Sequence, residues 1–308
     1  MPEESLTLQK FLKLPRTGIV ERVQQHNHPR LGIFVPDGNR RMTLAERGSF
    51  SSNNNFYQDY VELTTHYFRQ NLEIFFSHGL TTLMVPLVSY SALNRSEKYL
   101  RNALLPGLKK IFKSPEWLAF YQKHDIRLGV YGNTTTLKST ACAEVADWIE
   151  DARNQTRAHQ THRLFLGFTT PRKMGSEICE LAIEYYKEHG EIPDYQTQVK
   201  IYYGEPIPPA DFFIMSTKFS GLGAAPPLIT GENTQLYFLA APGAWSLSEE
   251  VYRKILYDLL FCRTNGTQNE YNNPDVFSAQ ELQNFFKKNR NKVFGLGHRI
   301  GEVWVPEE

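Results

Sequence analysis

Short apolar runs alternate with longer stretches of helical periodicity along most of the chain. The apolar runs are rich in β-branched and aromatic residues and end at turn-forming residues, which is typical of buried strands. We predict strands at 31–36, 81–88, 126–131, 163–168, 211–215 and 235–240. Helices are predicted between them, at about 57–78, 97–113, 115–123, 142–156, 175–188 and 248–262.

This alternation predicts an α/β fold with a mainly parallel central sheet and flanking helices, because a crossover helix returns the chain to the same sheet in parallel. The 308 residues fit one domain, with 1–28 as an N-terminal lead-in and 263–308 as a C-terminal extension. No internal repeat is visible. The polar, turn-rich stretch 49–55 predicts a mobile loop after the first strand.

The charge and the cysteine content argue against a nucleic-acid-binding protein, a disulfide-rich protein and a zinc protein. Lysine and arginine number 34 against 33 acidic residues, and a net charge of +1 provides no field to hold a nucleic acid. The three cysteines form no CxxC pair, so neither a disulfide framework nor a zinc site is expected. The N-terminus carries acids where a signal peptide is basic, and no apolar run reaches the length of a membrane span. We expect a cytoplasmic protein without stable membrane insertion.

The segment 37–41, Asp-Gly-Asn-Arg-Arg, follows the first predicted strand and is the main candidate for chemistry. Ligands of open α/β sheets bind at the carboxyl ends of the strands, where this segment lies. A diphosphate needs backbone N–H groups, bidentate arginines and an acid for the accompanying Mg²⁺, and this segment offers all of them. Taken alone, the same letters also fit an Asp-Gly turn with solvent-exposed arginines.

The whole chain resembles the cis-prenyltransferase (undecaprenyl diphosphate synthase) superfamily, whose first strand ends in a DGN-x-R motif that grips an allylic diphosphate. Asp37, Gly38, Asn39 and Arg41 match that motif in order and place. Further landmarks in register are Ser89, Asn94, Arg95, 124–128, Gly132, Ala210, Asp211 and 236–238. The resemblance covers about 31–262 and implies a cis-prenyltransferase-like fold that commonly forms homodimers.

The resemblance stops at the second diphosphate site of that superfamily. There, an R-x-x-x-R-x-S pattern after the fifth strand holds isopentenyl diphosphate. Those positions are Met215, Gly221 and Gly223 in this chain, and two glutamates of the family are replaced by Phe219 and Gln235. A second diphosphate buried without cationic partners would cost several kcal/mol. Chain elongation is therefore not expected.

One branch of the superfamily shares both the retained first site and the lost second site, namely the bacterial diterpene synthases of the tuberculosinol and kolavelool type. Segments similar to this branch are 11–15, 37–41, 202–205, 210–214, 234–238, 253–258 and 293–297. The branch implies an enzyme that ionises a bicyclic diterpenyl diphosphate, of the kolavenyl or tuberculosinyl kind, and adds water to give a tertiary alcohol and pyrophosphate.

The resemblance also implies a role for each site residue. Asp37 would be the acid associated with Mg²⁺ or the leaving group, and Gly38, Asn39, Arg40 and Arg41 would bind the diphosphate. Tyr60 would be the tyrosine at the allylic cation, because a phenol ring stabilises positive charge and its hydroxyl can orient water or relay a proton.

Two departures from the branch leave alternatives open. The polar loop lengthens the spacing from the motif, so the tyrosine at the cation could be Tyr57, and Tyr60 could be an ordinary core or helix-surface aromatic. The branch carries adjacent aspartates after the second strand, whereas this chain has Tyr90 and Ser91. A metal role for that second segment is therefore not expected.

Two other functions compete with water capture. The first is transfer of the diterpenyl group to a nucleoside or another nucleophile. The second is a non-catalytic partner subunit of a cis-prenyltransferase, but such subunits typically lose the DGN segment, which is intact here.

Overall fold

The computed structural model of the protein describes residues 6–47, 55–169, 171–216, 225–231, 233–263 and 280–307. Its centre is a six-stranded sheet of β1 (Leu31–Val35), β2 (Thr82–Ser89), β3 (Ile126–Gly132), β4 (His162–Thr169), β5 (Phe212–Ser216) and β6 (Gln235–Leu239). The strand order is β3-β4-β2-β1-β5-β6, and every neighbouring pair is parallel. The predicted α/β fold with a parallel central sheet is confirmed.

Helices cover both faces of this sheet. They are α1 (Leu8–Leu12), α2 (Arg16–His26), α3 (Asn39–Arg47), α4 (Phe56–Ser77), α5 (Tyr90–Leu93), α6 (Glu97–Tyr99), α7 (Leu105–Lys113), α8 (Pro115–Lys123), α9 (Val145–Thr156), α10 (Pro171–His189), α11 (Tyr195–Tyr203), α12 (Glu249–Tyr257) and α13 (Gln280–Asn289). A C-terminal hairpin of β7 (Gly297–Ile300) and β8 (Val303–Pro306) follows α13.

The two faces of the sheet bury two hydrophobic clusters. Leu31, Ile33 and Val35 of β1 belong to the cluster under α10 and α11. Phe34 belongs to the larger cluster, under α4, α7, α8, α9 and α12. Successive residues of a strand point to opposite faces, so a strand buried on both sides has to be apolar at every position. This explains why β1 appears in the sequence as an unbroken apolar run.

The sequence prediction and the structure agree on the strands and differ on several helices. All six predicted strands are present, with ends shifted by no more than one residue. The predicted helix 97–113 contains a π-helical segment, Leu100–Leu104, and α2, α3 and α11 were not predicted. The predicted loop 49–55 lies almost entirely outside the described residues.

The N-terminal helices pack onto the core of the sheet domain. Phe11 and Ile19 are fully buried in the larger cluster. Arg253 of α12 donates to the carbonyl groups of Leu12 and Leu14 at 2.9 and 2.7 Å, and so fixes the connection between α1 and α2. The assignment of 1–308 to one catalytic domain stays a prediction. Among the described helices, none combines the length and the apolar character needed to cross a bilayer.

Candidate active site

The segment 37–41 forms a tight turn between β1 and α3. The Asp37 N–H donates to the Val35 carbonyl at 2.9 Å, so the chain turns as soon as the strand ends. Gly38 has φ +87°, a left-handed conformation that favours glycine over residues with a Cβ atom. The Asp37 carboxylate accepts the Gly38 N–H at 2.8 Å. Because α3 begins at Asn39, the N–H groups of Asn39 and Arg40 lie at the carboxyl end of β1, whereas the Arg41 N–H donates to the Gly38 carbonyl at 2.8 Å.

Contacts from the last third of the chain hold this turn in place. The Asp37 carbonyl accepts the Ser216 hydroxyl at 2.7 Å. Asn39 Nδ2 donates to the Pro36 carbonyl at 3.0 Å, and Asn39 Oδ1 accepts the Ala244 N–H at 3.1 Å. Both ends of the Asn39 amide therefore have partners in the protein. We expect Asn39 to shape the turn and to offer an anion only its backbone N–H.

A cavity of about 1240 Å³ opens beside the turn and extends between α4, α7 and the sheet. At its mouth are the exposed side chains of Asp37 and Arg40 and the half-buried side chain of Arg41. Its interior is lined by buried or half-buried apolar side chains, including Val61, Phe68, Val85, Leu87, Leu104, Leu108 and Ile111. The cavity thus joins a charged mouth to an apolar chamber.

Tyr60, on the first turns of α4, lines this cavity together with Asp37, Arg95 and Tyr99. Burial raises the pKa of Tyr60 above its ordinary value, and the hydrogen bond with Tyr99 acts in the same direction, against the opposing charge of Arg95. The Tyr60 phenol is therefore neutral across the physiological pH range. Arg95 in turn lies over the Tyr99 ring, with 4.7 Å from Cζ to the ring centroid.

Tyr57, the alternative tyrosine, also lines the cavity. Its ring contacts Phe56 at a centroid distance of 5.8 Å, and Lys98 Nζ lies 5.9 Å from its centroid. Tyr60 is thus the tyrosine that hydrogen-bonds with Tyr99 and interacts electrostatically with Asp37 and Arg95. Tyr57 instead lies close to Lys98.

Charges around the cavity favour an anionic ligand. Among the described residues, its lining includes four arginines, at 40, 41, 95 and 299, and two carboxylates, Asp37 and Glu302. No group of three or more His, Cys, Asp or Glu in the described part of the chain could hold a metal ion by itself. Mg²⁺ that accompanies a phosphate is commonly held by one or two carboxylates together with the phosphate oxygens. Asp37 fits that kind of site.

The sequence predicted the position of the 37–41 turn but not which residues surround it in the cavity. Arg95 entered only as a landmark of the resemblance, and Tyr99, Arg299 and Trp304 carried no motif, although all four line the cavity. Met215 is buried at the end of β5 and also lines it. Phe219, Gly221 and Gly223 lie outside the described residues.

Two curated proteins are similar to this chain over almost its full length. Tuberculosinyl adenosine transferase of Mycobacterium tuberculosis is 29% identical over 300 residues, which cover 97% of each chain. The (+)-kolavelool synthase of Herpetosiphon aurantiacus is 26% identical over 304 residues, covering 98% of this chain and 96% of that protein. No family model matches the chain. The resemblance to these two enzyme types inferred from the sequence is confirmed.

Two solved structures have a fold similar to that of this chain. Lavandulyl diphosphate synthase from Lavandula x intermedia, in complex with dimethylallyl diphosphate, matches with a TM-score of 0.55 and 18% identity, over 77% of this chain and 97% of that chain. A probable undecaprenyl diphosphate synthase from Campylobacter jejuni matches with a TM-score of 0.54 and 14% identity, over 76% and 95%. The fold is that of the cis-prenyltransferases. In this cis-prenyltransferase fold the 37–41 turn lies at the carboxyl end of a central strand, as the sequence predicted.

Proposed function

We propose that this protein is a diterpene synthase that ionises a bicyclic diterpenyl diphosphate, of the kolavenyl or tuberculosinyl kind, and adds water to give a tertiary alcohol. The observation that carries the proposal is a continuous cavity that joins the charged 37–41 turn to an apolar chamber. Its volume of about 1240 Å³ is larger than the range of roughly 300–1,000 Å³ common for drug-sized ligands. A C₂₀ skeleton and its diphosphate can share it.

The turn supplies what an allylic diphosphate requires. The N–H groups of Asn39 and Arg40, at the start of α3, offer backbone donors, and the Arg40 and Arg41 guanidinium groups offer charge-assisted hydrogen bonds. Asp37 would hold Mg²⁺ against the diphosphate oxygens, and the ion would neutralise charge on the leaving group. These donors favour the separated pyrophosphate over the intact ester, which is the sense in which they accelerate ionisation.

Ionisation breaks the C–O bond, and both of its electrons stay on the pyrophosphate oxygen. The allylic cation then shares its charge between a primary and a tertiary carbon, and a water oxygen bonds to the tertiary carbon, where more charge resides. The added water loses one proton. Because the Tyr60 phenol is neutral, it can pass a proton along its hydrogen bond with Tyr99 but is not the final base, so released pyrophosphate or bulk water takes the proton.

Two observations support a single-substrate reaction over chain elongation. Met215 brings a thioether to the position where the resemblance implies an arginine of the second diphosphate site. Ser216, next to it, donates its hydroxyl to the Asp37 carbonyl and so supports the first site. We therefore expect the protein to consume one allylic diphosphate alone.

A second candidate function is transfer of the diterpenyl group to a nucleoside. The observation in its favour is the 29% identity to a tuberculosinyl adenosine transferase. The two candidates share ionisation and differ only in the nucleophile that meets the cation.

Incubation of the purified protein with linear and bicyclic prenyl diphosphates, with and without Mg²⁺, tests the proposal. In ¹⁸O-labelled water the tertiary alcohol should carry the label, because the bond between carbon and the ester oxygen is the one that breaks. Unlabelled alcohol would indicate attack at phosphorus instead. Added adenosine should appear in the product only if the transferase alternative is correct. A longer prenyl diphosphate formed from added isopentenyl diphosphate would refute the loss of the second site.

A further inference from the structure

The C-terminal hairpin contributes to the candidate active site although more than 250 positions separate it from the 37–41 turn. β7 and β8 pair antiparallel and are joined by Gly301 and Glu302. Four of the hairpin's residues, Arg299, Glu302, Val303 and Trp304, line the same cavity as Asp37 and Tyr60. The tip of the hairpin is therefore part of the wall of the cavity.

Trp304 is the large aromatic side chain of this wall. It lies directly opposite Arg299 in the hairpin register, and residues opposite each other share a face of the pair. Trp304 is half-buried, whereas His298, whose side chain is on the other face, is exposed and is not part of the cavity lining. Within the hairpin, Trp304 thus meets the cavity and His298 meets solvent.

Gly297 provides the space that the Trp304 ring occupies. A Cβ atom at position 297 would lie 2.5 Å from Cε2 and Cζ2 of Trp304 and closer still to the Val305 carbonyl. Any side chain at this position would therefore displace the ring or open the hairpin. The indole of Trp304 packs directly against the β7 backbone at Gly297, and this contact fixes the orientation of the ring.

We propose that Trp304 closes the cavity and controls which water reaches the allylic cation. This inference rests on the proposed function. An indole face stabilises positive charge better than a phenol or phenyl ring, and it excludes solvent from the side of the cavity that it covers. With Trp304 in place, one water adds at the tertiary carbon. Without it, bulk water reaches both ends of the allylic cation, and the primary alcohol forms beside the tertiary one.

Four variants of the full-length chain test this role. Trp304→Ala should lower the ratio of tertiary to primary alcohol at least about fivefold, and Trp304→Phe should restore most of that ratio because it keeps an aromatic face. Gly297→Val should reproduce the Trp304→Ala product ratio, because a Cβ atom at position 297 clashes with the Trp304 ring and with the Val305 carbonyl and so moves the ring from its place. His298→Ala, at an exposed position of β7 outside the cavity lining, should match the wild type. The inhibition constant of inorganic pyrophosphate should be the same for all four variants, which would show an intact diphosphate site.

The outcomes separate this inference from the function on which it rests. If the wild type forms alcohol and Trp304→Ala gives the wild-type ratio, Trp304 has no part in water control. If His298→Ala changes the ratio as much as Trp304→Ala does, hairpin stability and not the indole is responsible, and the inference is wrong. If the wild type forms no alcohol from any prenyl diphosphate, the proposed function itself fails. A wild-type ratio in Gly297→Val, together with an altered ratio in Trp304→Ala, would overturn the packing argument for Gly297.

Discussion

The carboxyl ends of β1 and β5 lie side by side in the sheet and have opposite character. Val35 and Met215 are in register across the two parallel strands, so both strands end on the same side of the sheet. After β1 come Asp37 and two arginines in a turn that starts a helix. The end of β5 instead presents a buried thioether and the Ser216 hydroxyl, which donates to the Asp37 carbonyl. The two neighbouring strand ends thus differ in character, because one presents charged side chains to the cavity and the other supports the turn that carries them.

The largest effect should come from the acid of the β1 end. Asp37→Asn removes the negative charge but keeps the size of the side chain, and we expect turnover to fall by about 100-fold or more, as for the loss of a group that stabilises leaving-group charge. Asp147→Asn, an exposed acid on α9 outside the cavity lining, is the control for charge alone. Steady-state kinetics with thermal denaturation of each variant provides the check. A folded Asp37→Asn enzyme near wild-type activity would refute the site.

A smaller effect should follow from loss of a guanidinium group at the same end. Arg41→Ala should weaken pyrophosphate inhibition about 10- to 100-fold, the range for hydrogen bonds to charged groups. Arg41→Lys should recover only part of this loss, because an ammonium group cannot make the bidentate contact. Arg153→Ala, an exposed surface change on α9, serves as the matched control. Equal inhibition constants for wild type and Arg41→Ala would contradict the assignment.

Substitution of the two candidate tyrosines of α4, Tyr57 and Tyr60, should affect turnover differently. Tyr60→Phe keeps the ring and removes the hydroxyl, so turnover should fall at least about tenfold if the hydroxyl moves a proton, and only slightly if the ring alone matters. Tyr57→Phe should be nearly silent. Because burial raises the pKa of Tyr60, the ratio of wild-type to Tyr60→Phe rates should stay constant up to about pH 10. A harmful Tyr57→Phe with a silent Tyr60→Phe would move the role to Tyr57.

The smallest effect should arise at the β5 end. Ser216→Ala removes one hydrogen bond to the Asp37 carbonyl and should cost about 0.5–1.5 kcal/mol of unfolding free energy, with a few-fold loss of kcat/KM. Thr81→Val removes another hydrogen bond from a hydroxyl to a backbone carbonyl, from Thr81 Oγ1 to the Arg30 carbonyl at 2.8 Å, at the amino ends of β1 and β2. It should lower stability without affecting kcat/KM. If both variants affect kcat/KM equally, Ser216 does not act through the turn.

Local patterns were enough to predict the strands and the turn, because both depend on short-range features. Full burial makes β1 apolar at every position, and the Asp-Gly pair marks the end of that strand. The same reasoning missed α3, because a turn motif conceals the helix that begins inside it. Arg95, Tyr99 and Trp304 could not be located, since their place in the cavity follows from tertiary packing and not from spacing. The lost second site was inferred from the resemblance alone.

The hydrogen bonds that hold the 37–41 turn also determine when it can form. The Asp37 carbonyl accepts from Ser216 and from the Gly243 N–H at 2.6 Å, and Asn39 accepts from Ala244. β1 itself pairs on one side with β5, which is about 180 positions later in the chain. Contacts between such distant segments form slowly because a long loop has to close first. During synthesis the motif is made early but stays without its full set of native partners until residues 216–244 have also been made.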